Sequence, residues 1–217
     1  MSKTNRKKKK VKKIIIFLLV LIIAGGLVYF ALFNNKNNTK DAKKEKVVDK
    51  IDNFDYSVSE TDTKLFKSEF KKLKKVLSEK EVNNQEYSQA VAKLFIIDFF
   101  TLDNKITRND VGGVQFVYSK YKTDFIDKSR DEFYKYVKNN LNDDRKQDLP
   151  EVSKITVDSC EQVSASSELS GTDFAGIEEA YKVNLSWEYK EDLGYQKNAT
   201  VIVIKDDNKF SVAKLSK

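Results

Sequence analysis

The chain has 217 residues, with 40 Lys+Arg against 33 Asp+Glu, one Cys, one Pro and no His. Without histidine there is no Ser-His-Asp or Cys-His catalysis and no His-ligated metal, and the lone Cys160 excludes an internal disulfide framework or a cysteine metal cage. Eight of the basic residues lie in residues 1–13, which leaves 32 against 33 acids from Ile14 onward, so the body lacks the basic surplus of a nucleic-acid-binding surface.

Residues 14–33 (IIIFLLVLIIAGGLVYFALF) carry no charge. As a helix they span roughly 30 Å, the thickness of the hydrocarbon core of a bilayer. A helix inside a globular core rarely lacks polar residues all the way round. A cleaved signal peptide has an apolar region of only about 7–15 residues before a small-residue cleavage site. Here Ala24, Gly25 and Gly26 are followed by seven more apolar residues. The segment reads as an uncleaved transmembrane anchor. Eight basic residues before it outnumber six in the 20 after it, and the KKKKVKK cluster abuts it. That bias places residues 1–13 in the cytoplasm, against lipid headgroups, and residues 34–217 outside the cell membrane.

Residues 34–60 are polar and charged and read as a solvated spacer. From 61 the period is helical, with Phe66, Phe70, Leu73 and Leu77 on one face. A break at 82–84 precedes a stronger helix over 84–102, with Tyr87, Ala90, Val91, Leu94, Phe95, Ile97 and Leu102 inward and an almost wholly apolar stretch, LFIIDFF. Gly112-Gly113 weakens any long helix after it, so a short bent segment is expected. Thr123 can cap a further helix to Leu141, with Phe125, Ile126, Phe133, Val137 and Leu141 inward, and Pro150 closes the helical half.

The last third alternates. Tyr181, Val183, Leu185, Trp187 and Tyr189 face one way, and Lys182, Asn184, Ser186, Glu188 and Lys190 the other, as in a half-buried antiparallel strand. Ile155–Val163, Ala199–Ile204 and Phe210–Leu215 read as three more strands, the last two joined by a turn at Asp206-Asp207-Asn208. The Ser/Gly-rich connector 164–178 is expected to be mobile. Helices followed by an antiparallel meander make residues 61–217 one α+β domain.

A membrane anchor, about three helices and then a curved four-stranded meander resembles the NTF2-like cone fold. Among single-pass bacterial proteins it resembles the extracytoplasmic domain of VirB8-type conjugation proteins and their Gram-positive relatives. The buried helix LFIIDFF, the bend DVGG at 110–113 and the strand YKVNLSWEY carry the likeness, which rests on element order. It implies a role in assembly or as a scaffold, without catalysis.

Asp98 falls in the middle of the apolar face of helix 84–102, where an unpaired charge costs several kcal/mol. One reading makes it a general acid/base with raised pKa in a cone-shaped pocket, as resembled NTF2-like enzymes use. The other makes it a structural partner of Arg108, Arg130 or backbone N–H groups of the 107–113 bend, and the usual satisfaction of buried polar groups favours it. Phe99, Tyr181, Trp187 and Tyr189, with Phe100, either line a cavity or fill the core, and core is the commoner use of such rings. Ser-x-x-Lys occurs three times, and 17 serines with 36 lysines in 217 residues give about three by chance. No calcium loop or phosphate-cradling glycine loop is present, and no cofactor or metal is called for. The expectation is a non-enzymatic single-pass protein whose outer domain binds membrane or envelope proteins or self-associates. A small-ligand or peptide sensor is the alternative, ahead of a carboxylate enzyme.

Overall fold

The computed structural model describes residues 46–169, 174 and 176–217. The apolar segment 14–33, its basic flank and residues 34–45 lie outside the described residues. No described helix is long and apolar enough to cross a membrane.

The described chain begins with a hairpin, β1 (Val47–Ile51) and β2 (Tyr56–Ser59). Residues expected to be spacer are therefore part of the domain. Tyr56 and Val58 are buried in the main core, and the Tyr56 hydroxyl donates to the Phe210 carbonyl at 2.7 Å. Two inward residues in a four-residue strand are too few to stand out as a period amid Lys and Asp.

Helix α1 (Lys64–Ser78) starts at Thr63, whose hydroxyl accepts from the Phe66 N–H. It buries Phe66, Phe70 and Leu73, as the spacing predicts. Helix α2 (Asn84–Phe100) starts at Asn83, whose side-chain oxygen accepts from Gln85 and Glu86. It is buried nearly all round, because it packs against all four strands of the main sheet on one side and α1 on the other.

The expected helix 123–141 is shorter and starts earlier, as α3 (Lys122–Asp131), and Thr123 does not cap it. Beyond it the Tyr134 N–H bonds back to the Ser129 carbonyl, Ile126 is half-buried and Leu141 is 48% exposed. The cause lies in Arg145. Its buried guanidinium donates to the carbonyls of Asp103, Lys105 and Lys138, which holds 132–149 as an irregular wrap over the 103–106 turn.

Strands β3 (Val152–Val163), β4 (Ala180–Tyr189), β5 (Asn198–Asp206) and β6 (Lys209–Ser216) pair in chain order, all antiparallel. Every residue expected to face inward on β4 is buried. Asp207, in the β5–β6 turn, takes a left-handed φ of 55°. Register shifts at 152–154, 157–159 and 202–203 are the kind of irregularity that bends a strand. Of the connector after β3, residues 170–173 and 175 lie outside the described residues. Its described part forms a single turn, α4 (Ala165–Glu168), and Ala165, Leu169 and Phe174 join Tyr118, Ala180, Ile202 and Ile204 in a second, smaller core. β5 is thus covered on both faces, with Val201 and Val203 in the main core. The domain is α+β, with helices on a four-stranded antiparallel sheet.

Candidate functional site

Asp98 sits two residues before the end of α2 with a side chain only 15% exposed. One carboxylate oxygen takes the Lys105 ammonium at 2.6 Å and the other accepts the Gly113 N–H at 2.6 Å. The backbone partner was foreseeable from the 107–113 bend. The cation was not: neither Arg108 nor Arg130 is bonded to it, and Arg130 pairs instead with Asp127 and Asp131. Lys105 is buried, a state a lysine tolerates only beside an anion. Burial alone would depress its pKa, but the Asp98 carboxylate, with Tyr134 and Asp110 nearby, outweighs this and holds the ammonium above its ordinary value.

The bend fits against α2 because it is made of glycine. A Cβ on Gly112 would stand 2.1 Å from the Asp98 carbonyl oxygen, and Gly113 adopts φ +78° over the Phe95 ring. The Gly112 N–H donates to the Tyr134 hydroxyl at 3.1 Å, and that hydroxyl donates to the Phe99 carbonyl at 2.7 Å. Asp98, Lys105, Gly113 and Tyr134 form a closed polar lock between α2, the bend and the chain after α3. Each Asp98 oxygen is engaged by a group of the fold.

The aromatic residues do not enclose a shared cavity. Phe99 is stacked on Phe95 and Phe133 and packs against Phe100, Phe125 and Tyr134, with centroids 5.0–5.6 Å apart. Trp187 joins the same body through Phe100 at 4.6 Å. Tyr181 and Tyr189 lie at opposite ends of β4, the first packed against Phe210 and the second against Tyr195. Burial pushes both hydroxyls up to about 12, and for Tyr181 the Glu179 carboxylate that accepts its bond adds to this. Tyr189 donates to the Gln196 carbonyl.

Two polar centres had no periodic signal. Glu179 gathers the Asn84 amide, the Tyr181 hydroxyl and the Lys205 ammonium and so ties the start of α2 to the sheet. Its burial would raise its pKa, but these three donors hold it below the usual carboxylate range. Tyr56 and Tyr87 share a 3.0 Å hydroxyl contact, and Tyr87 accepts the Phe210 N–H. Cys160 is half-buried on β3, 3.8 Å from the Ser88 hydroxyl.

Open clefts lie elsewhere. One of about 270 Å³, between α3 and β6, has Phe95, Val117, Phe125, Val212 and Leu215 as walls and Asp124, Lys128 and Lys214 at its mouth. Another of about 600 Å³, at the α1–α2 turn, is walled mainly by lysines and glutamates, unlike the apolar lining that holds a small molecule. On the outer face of the sheet the side chains bond to one another: Lys154 to Glu188, Ser186 to Asp158, and Ser159 through Asn184 to Thr200. Among the described residues no group of three or more acidic, cysteine or histidine side chains converges to hold a metal. No protein-family model, no curated protein and no solved structure matches the chain.

Proposed function

We propose that this chain is a single-pass membrane protein, with residues 1–13 cytoplasmic, 14–33 in the bilayer and the α+β domain outside, and that the domain is a non-catalytic interaction module of an envelope assembly. The observation that carries this reading is the filled interior. Where an NTF2-like cone used as a pocket would be hollow, Phe99, Phe100, Phe133 and Trp187 pack ring on ring, and the one acid on that part of α2 is consumed by Lys105 and Gly113. A domain without a prepared interior offers its surface, and a surface recognises macromolecules. The order of helices and then an antiparallel meander resembles that of VirB8-type domains, which is in keeping with an assembly role within this proposal. The outer sheet face is self-satisfied and polar, so the expected contact is reversible rather than a permanent apolar sheet-to-sheet interface.

Light scattering on the full chain in detergent, after size exclusion and with and without solubilised envelope proteins, tests this. Self-association or a defined complex supports the module. A strict monomer that is instead stabilised by a small molecule would favour a ligand sensor, for which the cleft between α3 and β6 is the place to look.

A further inference from the structure

Helix α1 segregates its charge. Lys64, Lys67, Lys71, Lys72, Lys74 and Lys75 occupy, at 100° per residue, one arc of about 160° opposite the buried Phe66, Phe70 and Leu73, with only Ser68 and Ser78 between them. No acid lies in that arc. The single acid of the helix, Glu69, is turned inward and shared between Lys72 and Lys93. Lys67 bonds the Glu60 carbonyl and Lys74 the Asp49 carboxylate. The acids nearest in sequence, Asp62 before the helix and Glu79 and Glu81 after it, lie outside its span.

Such a face is unfavourable for the helix itself. Lys64 and Lys67 stand at the N-terminal end, where the helix dipole disfavours cations, and that first turn has no acid. The pairs 64–67, 67–71, 71–74 and 71–75 set like charges three or four residues apart, which destabilises a helix. A face kept only for solubility would mix its signs. Outside α1 the chain from Ile14 onward has 26 basic against 32 acidic residues, so the lysine surplus belongs to this helix.

The described chain begins beside this face. The Asp49–Lys74 ion pair sets β1 against α1, and Val47 and Val48, each 52% exposed, directly precede Asp49. Twelve residues separate the end of the apolar segment at 33 from Lys46, and the fully extended link reaches at most about 47 Å. A domain on so short a tether stays within reach of the bilayer. Lysines flanked by exposed apolar side chains are the composition that rests on anionic headgroups.

We propose that the lysine face of α1 is a docking surface for the anionic bilayer in which the chain is anchored, and that it holds the domain down on the membrane. The inference rests on the anchor reading above. The test is lysine acylation footprinting, read by mass spectrometry, on the full chain in nanodiscs of phosphatidylcholine alone or of an equal mixture with phosphatidylglycerol. Lys64, Lys71 and Lys75 are expected to react about threefold or more slowly in the anionic discs, and raised salt is expected to abolish the difference. Lys154, on the outer face of the sheet, should react alike in both. Equal reactivity of the α1 lysines in both discs overturns the docking surface while the anchor stands. Protection that appears only with an added soluble polyanion overturns it as well. A chain that washes off both discs in high salt removes the anchor, and the docking surface with it.

Discussion

Helices α1 and α2 are neighbours of similar length and opposite character. α1 spends one stripe on the core and gives the rest of its circumference to lysine. α2 is apolar on nearly every side, and its two charges beyond the first turn are each met by an opposite ion, Lys93 by Glu69 and Asp98 by Lys105. The difference follows from how many surfaces each helix touches. A helix with one neighbour keeps a clean 3.6-residue period, whereas one set between a sheet, a helix and a wrapped loop loses its polar face. Any charge left on it must then be answered by the fold.

Removing an apolar side chain from α2 is the strongest way to break this comparison. Phe95→Ala should cost about 3–5 kcal/mol, because Phe95 stacks on Phe99 and supports the Gly113 turn. Lys71→Ser on the outer face of α1, which removes only like-charge contacts worth a few tenths of a kcal/mol, should move the denaturant midpoint only slightly. Equal effects of the two changes would show that α2 is not the centre of the core.

Asp98→Ala should come next, at about 3 kcal/mol, because it strands a buried ammonium. Adding Lys105→Met should recover part of that loss in a double-mutant cycle. Strict additivity would mean that the two side chains are not paired in solution.

The buried tyrosines give a pH test. Burial pushes Tyr87, Tyr181 and Tyr189 up to about 12 and raises Tyr56 and Tyr134 above their ordinary value of 10.0. Unfolded phenols ionise first, so this stabilisation is complete below pH 10 and is lost as pH rises above it. In an absorbance titration Tyr56, Tyr87, Tyr134, Tyr181 and Tyr189 should lag and then ionise together with loss of the far-ultraviolet circular dichroism signal. Ionisation of all ten near pH 10 with the fold intact would contradict the packing described.

Glu69 gives the smallest effect. Burial would raise its pKa, but the bonds from Lys72 and Lys93 hold it below 4.5. Its stabilisation is present above the unfolded value and is lost as pH falls through the folded one. Glu69→Gln should therefore flatten the acid limb of the stability curve below about pH 4.5 and sharpen the view that the one acid of α1 serves the core.

What could be read from the sequence tracks the same distinction. α1, α2 and β4 announced themselves because many side chains repeat at 3.6 or 2 residues. The position of Asp98 on an apolar face was evident for the same reason, and with it the expectation of a bonded partner in the 107–113 bend. Lys105, Tyr134 and Arg145 were hidden, because one polar residue folded inward from a loop has no period. The segment 132–141 reads as helix from its apolar spacing, yet three carbonyls on Arg145 decide its path. Tyr56 and Val58 were lost in charged surroundings. Phe174 was hidden in a Ser/Gly-rich stretch whose composition suggests no core.

The side of the membrane on which the α+β domain resides decides the proposed function. In a Cys160→Ser background, single cysteines introduced as Ser2→Cys in the basic tail and Lys197→Cys in the exposed β4–β5 loop can be labelled in intact cells with a membrane-impermeant maleimide. Labelling of position 197 before lysis and of position 2 only after it is the predicted result. Protection of position 197 in intact cells, with labelling only after lysis, would place the domain inside and contradict the proposed function.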